Sequence, residues 1–237
     1  RYTSPGMYAE AQKYIADNAD LQYILLKKIL HRKYLDANNV YYKAIDIPKR
    51  NGGVRNLNAV QHPLKKIQEH VNTWLSSVYY PSKYAYGFVK DRNVEDSNGK
   101  IHFRKFGIIE NAKCHRSKKL VIRIDIKDFF PSITFKRVRG MFHSFPFEFP
   151  ESIRNETAYA LAQICCMHED GKQKGPIPQG GVTSPYVSNM ICRKLDSQIG
   201  NYANKNGLTF TRYADDITLS TNKYIDVPKT IKSIYSL

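Results

Sequence analysis

Three aspartates stand where β-rich segments of the chain approach their ends. Asp125 closes the run LVIRID, while Asp215 and Asp216 lie at the tip of a hairpin predicted over residues 208–220. If the two segments are neighbours in one sheet, three carboxylates converge at one rim and repel one another unless a cation is bound. Oxygen ligands without His or Cys suit Mg²⁺ or Mn²⁺, and two such ions are the apparatus of in-line nucleotidyl transfer. An Asp-Asp pair alone is more typical of a solvated turn, so the prediction depends on the pairing of these segments.

The charge of the chain favours a polyanionic partner. Its 237 residues include 37 Lys and Arg against 21 Asp and Glu, a formal net charge of +16. This surplus favours nucleic acid over an anionic membrane surface, with a solvated basic surface as the alternative. Together with the aspartates, it favours a nucleic-acid polymerase over a phosphatase or nuclease.

Other classes of protein are excluded by pattern. No apolar run approaches the roughly 20 residues needed to span a bilayer, and the start has neither an apolar signal-peptide core nor an initiator Met. We therefore expect a processed or excised piece with no membrane association. The four cysteines show no CxxC pair, which indicates reduced thiols in a cytoplasm rather than a disulfide framework or zinc ribbon.

Hydrophobic periodicity predicts the elements that position the aspartates. The predicted helices cover the first ~35 residues, a stretch after Pro63, and residues 134–143, 152–167 and 187–206. Predicted strands at 40–47 and 54–57 form a basic hairpin, and a strand at 120–126 places Asp125 opposite its apolar face. Residues 91–118 are predicted to be mostly loop.

Ordered blocks of the chain resemble the reverse transcriptase family. YADD at 213–216 resembles its Y-x-D-D motif, and IDIKDFFPSI at 124–133 resembles the aspartate block of retron-type and group II intron enzymes. PQGGVTSP at 178–185 matches their PQG loop. IPKRNGGVR at 47–55 and YGFVKDR at 86–92 are similar to the fingers motif and the segment after it.

A further element resembles the retron branch of that family. NAKCH at 111–115 is similar to the NAxxH element of retron enzymes, although a capping or loop histidine is the alternative for His115. The stretch 93–110 is longer than is usual in those enzymes. Few residues follow Asp216, so the family's primer-grip hairpin and VTG-bearing thumb have no counterpart here.

The resemblance implies an α+β right-hand polymerase fold, with a palm of antiparallel sheet and packed helices, plus fingers, and no thumb in this chain. The implied divisions are an N-terminal helical segment at 1–35, fingers with part of the palm at 36–118, and a truncated palm at 119–237.

The resemblance also implies the site residues. Asp125, Asp215 and Asp216 would be catalytic and, with the backbone carbonyl of Ile126, would hold two Mg²⁺ or Mn²⁺ ions. Residues implied to bind the dNTP are Lys49 (or Arg50), Arg55, Asp128, Phe129, Phe130 and Gln179. Residues implied to contact nucleic acid are Lys90, Arg92, Asn111, His115 and Tyr213.

Among the dNTP residues, Phe130 is expected beneath the sugar, where it would exclude ribonucleotides. Two structural alternatives remain: Lys49 and Arg55 as ordinary basic residues of an exposed hairpin, and Phe129 and Phe130 both as core residues.

The activity implied is RNA-directed DNA polymerisation. The substrates would be dNTPs and a template and primer RNA, the product cDNA, and the partner a retron noncoding RNA, in the bacterial cytoplasm. A role in phage defence and an effector protein partner are further expectations. The alternatives are a group II intron maturase-like or abortive-infection reverse transcriptase, and a non-catalytic RNA-binding module of the same fold.

Overall fold

The computed structural model describes residues 5–35, 41–49, 52–78, 81–95, 98–144, 147–167 and 174–237. The helices are α1 (Pro5–Asn18), α2 (Tyr23–Leu35), α3 (Leu64–Val78), α4 (Ile108–Lys113), α5 (Phe129–Ser132), α6 (Phe135–Phe142), α7 (Arg154–Cys165), α8 (Ser184–Ile191), α9 (Arg193–Lys205) and α10 (Val227–Tyr235). A 3₁₀ turn at Glu151–Ile153 precedes α7. The strands are β1 (Tyr42–Pro48), β2 (Val54–Val60), β3 (Arg92–Glu95), β4 (Ile101–Arg104), β5 (Leu120–Asp125), β6 (Thr209–Tyr213) and β7 (Asp216–Thr221).

The chain divides into two compact units. The first unit comprises Arg1–Tyr80 and Asp128–Ile191, and the second comprises Pro81–Lys127 and Cys192–Leu237. The predicted fingers and palm boundaries follow the family resemblance rather than compactness, and they stay a prediction.

Helix α7 forms the centre of the first unit. It is buried around most of its circumference, because Ala, Leu, Ile and Cys supply apolar side chains on every face. Helices α1, α3 and α6 pack against it. Periodic apolar side chains of α3 are buried at Leu64, Ile67, Val71 and Leu75, but Val78 at the end of the helix is 43% exposed and lies outside the core.

The basic hairpin of the first unit is confirmed. Strands β1 and β2 pair antiparallel, with Ile47 opposite Arg55. The backbone N–H of Lys49 donates to the carbonyl of Gly53 at 3.0 Å, which closes the turn. Arg50, the alternative to Lys49, and the first predicted strand residue at position 40 lie outside the described residues.

The second unit contains a three-stranded antiparallel sheet in the order β5-β7-β6. Its inner face is largely apolar because residues alternate along each strand, with Arg212 as a buried charged exception, and α9 and α10 pack against that face. The core consists of Ile122, Ile124, Ile199, Ala203, Leu208, Phe210, Ile217, Leu219 and Ile234.

The prediction that residues 91–118 are mostly loop is wrong. Strands β3 and β4 form a hairpin with Asn93 opposite Phe103, and α4 follows. Gly99 adopts a positive φ of 77° in the connection. Short strands of mixed polarity carry little periodic signal, and their pairing across this turn stabilises them.

The helix predicted from residue 187 to about 206 is two helices. Helix α8 ends at Ile191 and α9 begins at Arg193, because Cys192 has a ψ of −5° that interrupts the α-helical run. The four cysteines are free thiols, and three of them are buried. Within the described part of the chain, no helix combines the length and apolar character needed to cross a membrane.

Candidate active site

Asp125 and Asp216 lie directly opposite each other on paired strands. Strand β5 pairs antiparallel with β7, and β6 pairs with the other edge of β7, where Tyr213 faces Asp216. Directly opposed residues project from the same face of a sheet. These side chains therefore share the polar outer face, away from the apolar core. The predicted pairing of the two aspartate-bearing segments is confirmed.

The turn between β6 and β7 carries Asp215. Ala214 has a φ of 56°, in the left-handed region, which reverses the chain within two residues. The carbonyl of Asp215 accepts a hydrogen bond from the N–H of Ile126 at 3.0 Å, so the turn is joined to the chain just beyond β5. A Cβ at Gly87 would lie 2.7 Å from the Ala214 nitrogen, and only glycine permits this close approach.

A buried ion pair supports the same turn from the inner face. Arg212 donates from Nε to Asp196 Oδ1 at 2.6 Å and from Nη2 to Oδ2 at 2.9 Å, with both side chains fully buried. Its Nη1 donates to the carbonyl of Ala214 at 2.9 Å. One guanidinium therefore links α9 to the residue before Asp215. Sequence reasoning missed this pair, although Arg212 stands at a core position of a strand where a charge needs a partner.

His115 contacts the outer face of the β6–β7 hairpin. Its Nδ1 lies 2.7 Å from the Ser220 hydroxyl and its Nε2 lies 2.7 Å from the Thr211 hydroxyl, across β6 and β7. A neutral imidazole has one donor and one acceptor nitrogen, which suits two hydroxyls. Burial lowers the pKa of His115, and Lys118 lowers it further. Both ring nitrogens of His115 therefore have hydroxyl partners within the protein. Contact of His115 with RNA stays a prediction.

Arg123 binds the Asp216 carboxylate. Its Nε donates to Oδ1 at 2.8 Å and its Nη2 donates to Oδ2 at 2.7 Å. The Arg123 side chain is 71% exposed and that of Asp216 is 27% exposed. Asp216 raises the pKa of Arg123, with smaller contributions from Asp125 and Asp215. Arg123 stands two residues before Asp125, so the alternation along β5 places both side chains on the same face of the strand. This spacing is the sequence feature that points to Arg123 as a neighbour of the aspartates.

The donor set of this edge fits a hard divalent cation. Asp125, Asp215 and Asp216 offer carboxylate oxygens, which Mg²⁺ and Mn²⁺ prefer. Within the described ranges, however, no group of three His, Cys, Asp or Glu side chains is arranged to hold a metal ion as it stands. The cation that the three carboxylates require is supplied in part by Arg123, which neutralises Asp216.

The PQG loop is fixed within the first unit. The carbonyl of Gln179 accepts from the N–H of Asn58 on β2 at 2.7 Å. Gly180, with a φ of 111°, passes so close to Asn58 that a Cβ would lie 3.3 Å from its carbonyl oxygen. The Gln68 side chain accepts from Val182 N–H at 3.0 Å and donates to the Ile164 carbonyl at 2.8 Å. Gln68 is a positioning residue that sequence reasoning missed.

The other residues predicted to bind the dNTP also belong to the first unit, whereas the aspartates belong to the second. Lys49 and Arg55 are exposed on the hairpin. Asp128 has a left-handed φ of 49° and is the N-cap residue that precedes α5. Phe129 is buried and Phe130 is half-buried, with ring centroids 5.2 Å apart. Their roles at the nucleotide stay predictions.

The remaining residues predicted to contact nucleic acid are distributed over the second unit. Lys90 is exposed. Arg92 donates to the carbonyl of Pro81 at 3.3 Å, and its guanidinium carbon lies 5.3 Å from the Phe106 ring centroid. The Asn111 side-chain oxygen is buried and has no hydrogen-bond partner among the described residues. Contacts of these residues with RNA stay predictions.

The sheet, the aspartate turn and the PQG loop coincide with a family match. The model for reverse transcriptase (RNA-dependent DNA polymerase) matches residues 47–236. The chain therefore belongs to the reverse transcriptase family, whose members generally use divalent metal ions. The match and the small antiparallel sheets with packed helices confirm the predicted α+β fingers-and-palm fold.

Curated relatives are retron enzymes. The chain is 37% identical over 171 residues to the retron Ec86 reverse transcriptase of Escherichia coli. The matched region covers 69% of this chain and 49% of that protein. It is 34% identical over 194 residues to the retron Mx65 reverse transcriptase of Myxococcus xanthus, covering 76% and 40%. It is 32% identical over 195 residues to the retron Mx162 enzyme of the same organism, covering 77% and 36%. These likenesses confirm the predicted retron-type resemblance, and the chain spans half or less of the length of these relatives.

Proposed function

We propose that this chain carries the fingers and palm of a retron-type RNA-directed DNA polymerase. The observation that carries the proposal is the pairing of Asp125 with Asp216, with Asp215 in the adjoining turn held to Ile126. This arrangement gathers carboxylates on the polar face of a sheet, at one edge. The retron enzymes among its relatives support the retron type over a maturase-like or abortive-infection enzyme.

The carboxylates of Asp125, Asp215 and Asp216 and the carbonyl of Ile126 would hold two Mg²⁺ ions, with Mn²⁺ as the alternative. When bound, such ions would supply the lowering of the pKa of an attacking hydroxyl and the neutralisation of charge on the pyrophosphate leaving group.

The protein's own contribution is to keep the carboxylates in register. Arg212 and His115 fix the hairpin from its two faces, so Asp215 and Asp216 need no rearrangement of the backbone when substrate binds. Arg123 neutralises Asp216 and limits repulsion among the three carboxylates. Preorganised charge of this kind is the largest single source of catalysis in many enzymes.

Binding of the incoming nucleotide would fall to residues of the family motifs. Lys49 and Arg55 would bind the triphosphate together with backbone N–H groups of Asp128 and Phe129. Gln179 would orient the sugar, and Phe130 would exclude a 2′-hydroxyl. These roles rest on the motifs, because the residues belong to the first unit and the aspartates to the second.

The nucleic-acid partner would be a structured noncoding RNA that serves as template and primer, giving RNA-linked single-stranded DNA. The net charge of +16 and the retron relatives support this partner. Phage defence, an effector protein and a bacterial cytoplasmic location, where the four free thiols would stay reduced, complete the proposal.

The experiment is to express the full-length protein in its native host and to sequence the nucleic acid that co-purifies with it. DNA joined to a small structured RNA, with extension of a primed RNA template by dNTPs in vitro, is the expected result. An intron RNA would overturn the retron type in favour of a maturase-like enzyme. Bound RNA without any DNA synthesis would favour the non-catalytic module.

A further inference from the structure

A cleft of about 540 Å³ opens on the second unit beside the β3–β4 hairpin and α4. Its described lining includes none of the three aspartates. The volume lies within the range of about 300–1,000 Å³ that is typical of small-ligand sites. Most of its lining, including Phe103, Arg104 and Lys105, belongs to the stretch 93–110 and lies outside the blocks that resemble the family, whereas Tyr86, Lys113 and Cys114 belong to the YGFVKDR and NAKCH blocks.

The charge of the cleft is positive. Arg104, Lys105 and Lys113 line it with His102, and the acidic residue among its lining is Glu110. Glu110 accepts a hydrogen bond from the Lys113 ammonium at 2.7 Å, so its charge is already matched. The lining therefore attracts anions, and a phosphodiester backbone is the anion that the proposed function supplies.

Arg104 is held in place before any ligand arrives. Its Nη2 donates to the Tyr86 hydroxyl at 2.7 Å and to the carbonyl of Lys83 at 2.8 Å. Its guanidinium carbon lies 5.1 Å from the Tyr86 ring centroid and 4.9 Å from that of Phe106. Contact with two neighbouring rings, together with these hydrogen bonds, removes much of the rotamer entropy that a lysine or an unsupported arginine would lose on binding.

Phe103 supplies an open aromatic surface at the same cleft. Its side chain is 60% exposed, and Ile101, two residues earlier on the same face of β4, is 67% exposed. Large apolar side chains clustered on a surface usually mark a contact site. An unpaired base stacks on an aromatic ring without regard to its sequence, which suits a basic cleft with one exposed phenylalanine.

We propose that this cleft binds an unpaired nucleotide of the RNA partner. Phe103 stacks on the base, while Arg104 and Lys105 contact the flanking phosphates. The proposal rests on the proposed function for the presence of an RNA partner, and it adds three contacting residues, Phe103, Arg104 and Lys105, that lie outside the blocks that resemble the family. The positive lining favours RNA over an apolar protein surface or another part of the full-length chain as the occupant.

The experiment measures the dissociation constant of the full-length enzyme for the RNA that co-purifies with it, by filter binding at two salt concentrations. Phe103→Ala is compared with Tyr224→Ala, which removes a fully exposed aromatic side chain of the same unit. Lys105→Ala is compared with Lys232→Ala, since both lysines are exposed. Thermal unfolding of every variant establishes that it is folded.

We expect Phe103→Ala to weaken RNA binding by about five- to a hundred-fold, the range for loss of one base–aromatic stack. Phe103→Tyr, which keeps the ring, should bind within about two-fold of the wild type. Lys105→Ala should lower the dependence of log K on log[salt] by about 0.7, the value for one single-strand phosphate contact. The two control variants should bind RNA as the wild type does. Extension of an unrelated primed template by Phe103→Ala should differ from that of the wild type by less than about two-fold.

RNA binding by Phe103→Ala equal to that of Tyr224→Ala would overturn the proposal. If Phe103→Ala bound RNA normally but lowered the melting temperature of the full-length protein, the exposed face of β4 with Ile101 and Phe103 would be assigned to a protein contact instead. Equal losses in cognate binding and in generic extension would also overturn it. A wild-type enzyme that extends no primer would refute the proposed function, whereas an active enzyme with normal RNA binding in Phe103→Ala refutes this inference alone.

Discussion

Arg212 and Asp196 form a bidentate ion pair in which both side chains are fully buried. The same guanidinium donates to the carbonyl of Ala214, the residue before Asp215. Desolvating two charges is costly, and breaking such a pair by removing one partner typically costs about 3–5 kcal/mol. The position of the aspartate turn is therefore coupled to the packing of α9 under the sheet.

Arg212→Lys tests that coupling. Lysine keeps the charge, but its single nitrogen cannot replace the three guanidinium nitrogens that bind both Asp196 oxygens and the Ala214 carbonyl. We therefore expect the turn to shift and kcat to fall by about ten-fold or more. The KM for dNTP and the affinity for RNA should change less. Rates are measured at a temperature where circular dichroism shows the variant folded, with Arg116→Lys, an exposed arginine of the same unit, as the control. A folded Arg212→Lys enzyme with wild-type kcat would refute the coupling.

Arg123→Gln should lower the Mg²⁺ concentration that gives half-maximal extension. Arg123 competes with a metal ion for Asp216, and an exposed ion pair is worth about 0.2–1 kcal/mol, so the decrease should be at most about five-fold. A magnesium titration of primer extension measures it, with Lys232→Gln as the control. An unchanged or higher magnesium requirement would show that Arg123 does not compete for this carboxylate.

His115 makes stability depend on pH in the acid range. Its pKa is lowered in the folded protein, so the unfolded chain binds more protons and stability decreases as pH falls below the ordinary value of about 6.5. His115→Gln can still hydrogen-bond the Thr211 and Ser220 hydroxyls but does not titrate. Between pH 7.5 and 5.5 the melting temperature should fall more for the wild type than for the variant. Parallel curves would contradict the assignment of this dependence to His115.

Phe130→Ala should raise the use of rNTP relative to dNTP by about ten-fold or more, since a flat ring under C2′ leaves no room or partner for a hydroxyl. Phe129 is buried, so Phe129→Ala should instead lower the free energy of unfolding by about 3–5 kcal/mol without changing that ratio. Single-nucleotide incorporation kinetics separate the two. If Phe130→Ala slows both nucleotides equally, its ring serves packing.

The central strands of the second unit could be predicted because their alternation is strict. Leu120, Ile122 and Ile124 face the core, and this places Asp125 and Arg123 on the opposite face. Together with the aspartate pair at the tip of the facing hairpin, this alternation is enough to predict the candidate site from the sequence.

The features that sequence reasoning missed depend on partners distant in the chain. Arg212 pairs with Asp196 on a helix, and Gln68 on α3 supports a loop that follows α7. Nothing local to either residue identifies its partner. The β3–β4 hairpin was missed for a different reason, since Phe103 and Ile101 are exposed and leave no buried periodic face.

The most direct test of the account is primer extension by the full-length Asp125→Asn enzyme. Asparagine keeps the shape of this exposed side chain but removes the charge that would hold a metal ion, and several kcal/mol of transition-state stabilisation correspond to about a thousand-fold in rate. We predict that extension falls at least that far, while RNA affinity and melting temperature stay near those of the wild type and of Asp17→Asn, an exposed aspartate on α1. Extension at a near-wild-type rate by Asp125→Asn would contradict the proposed active site.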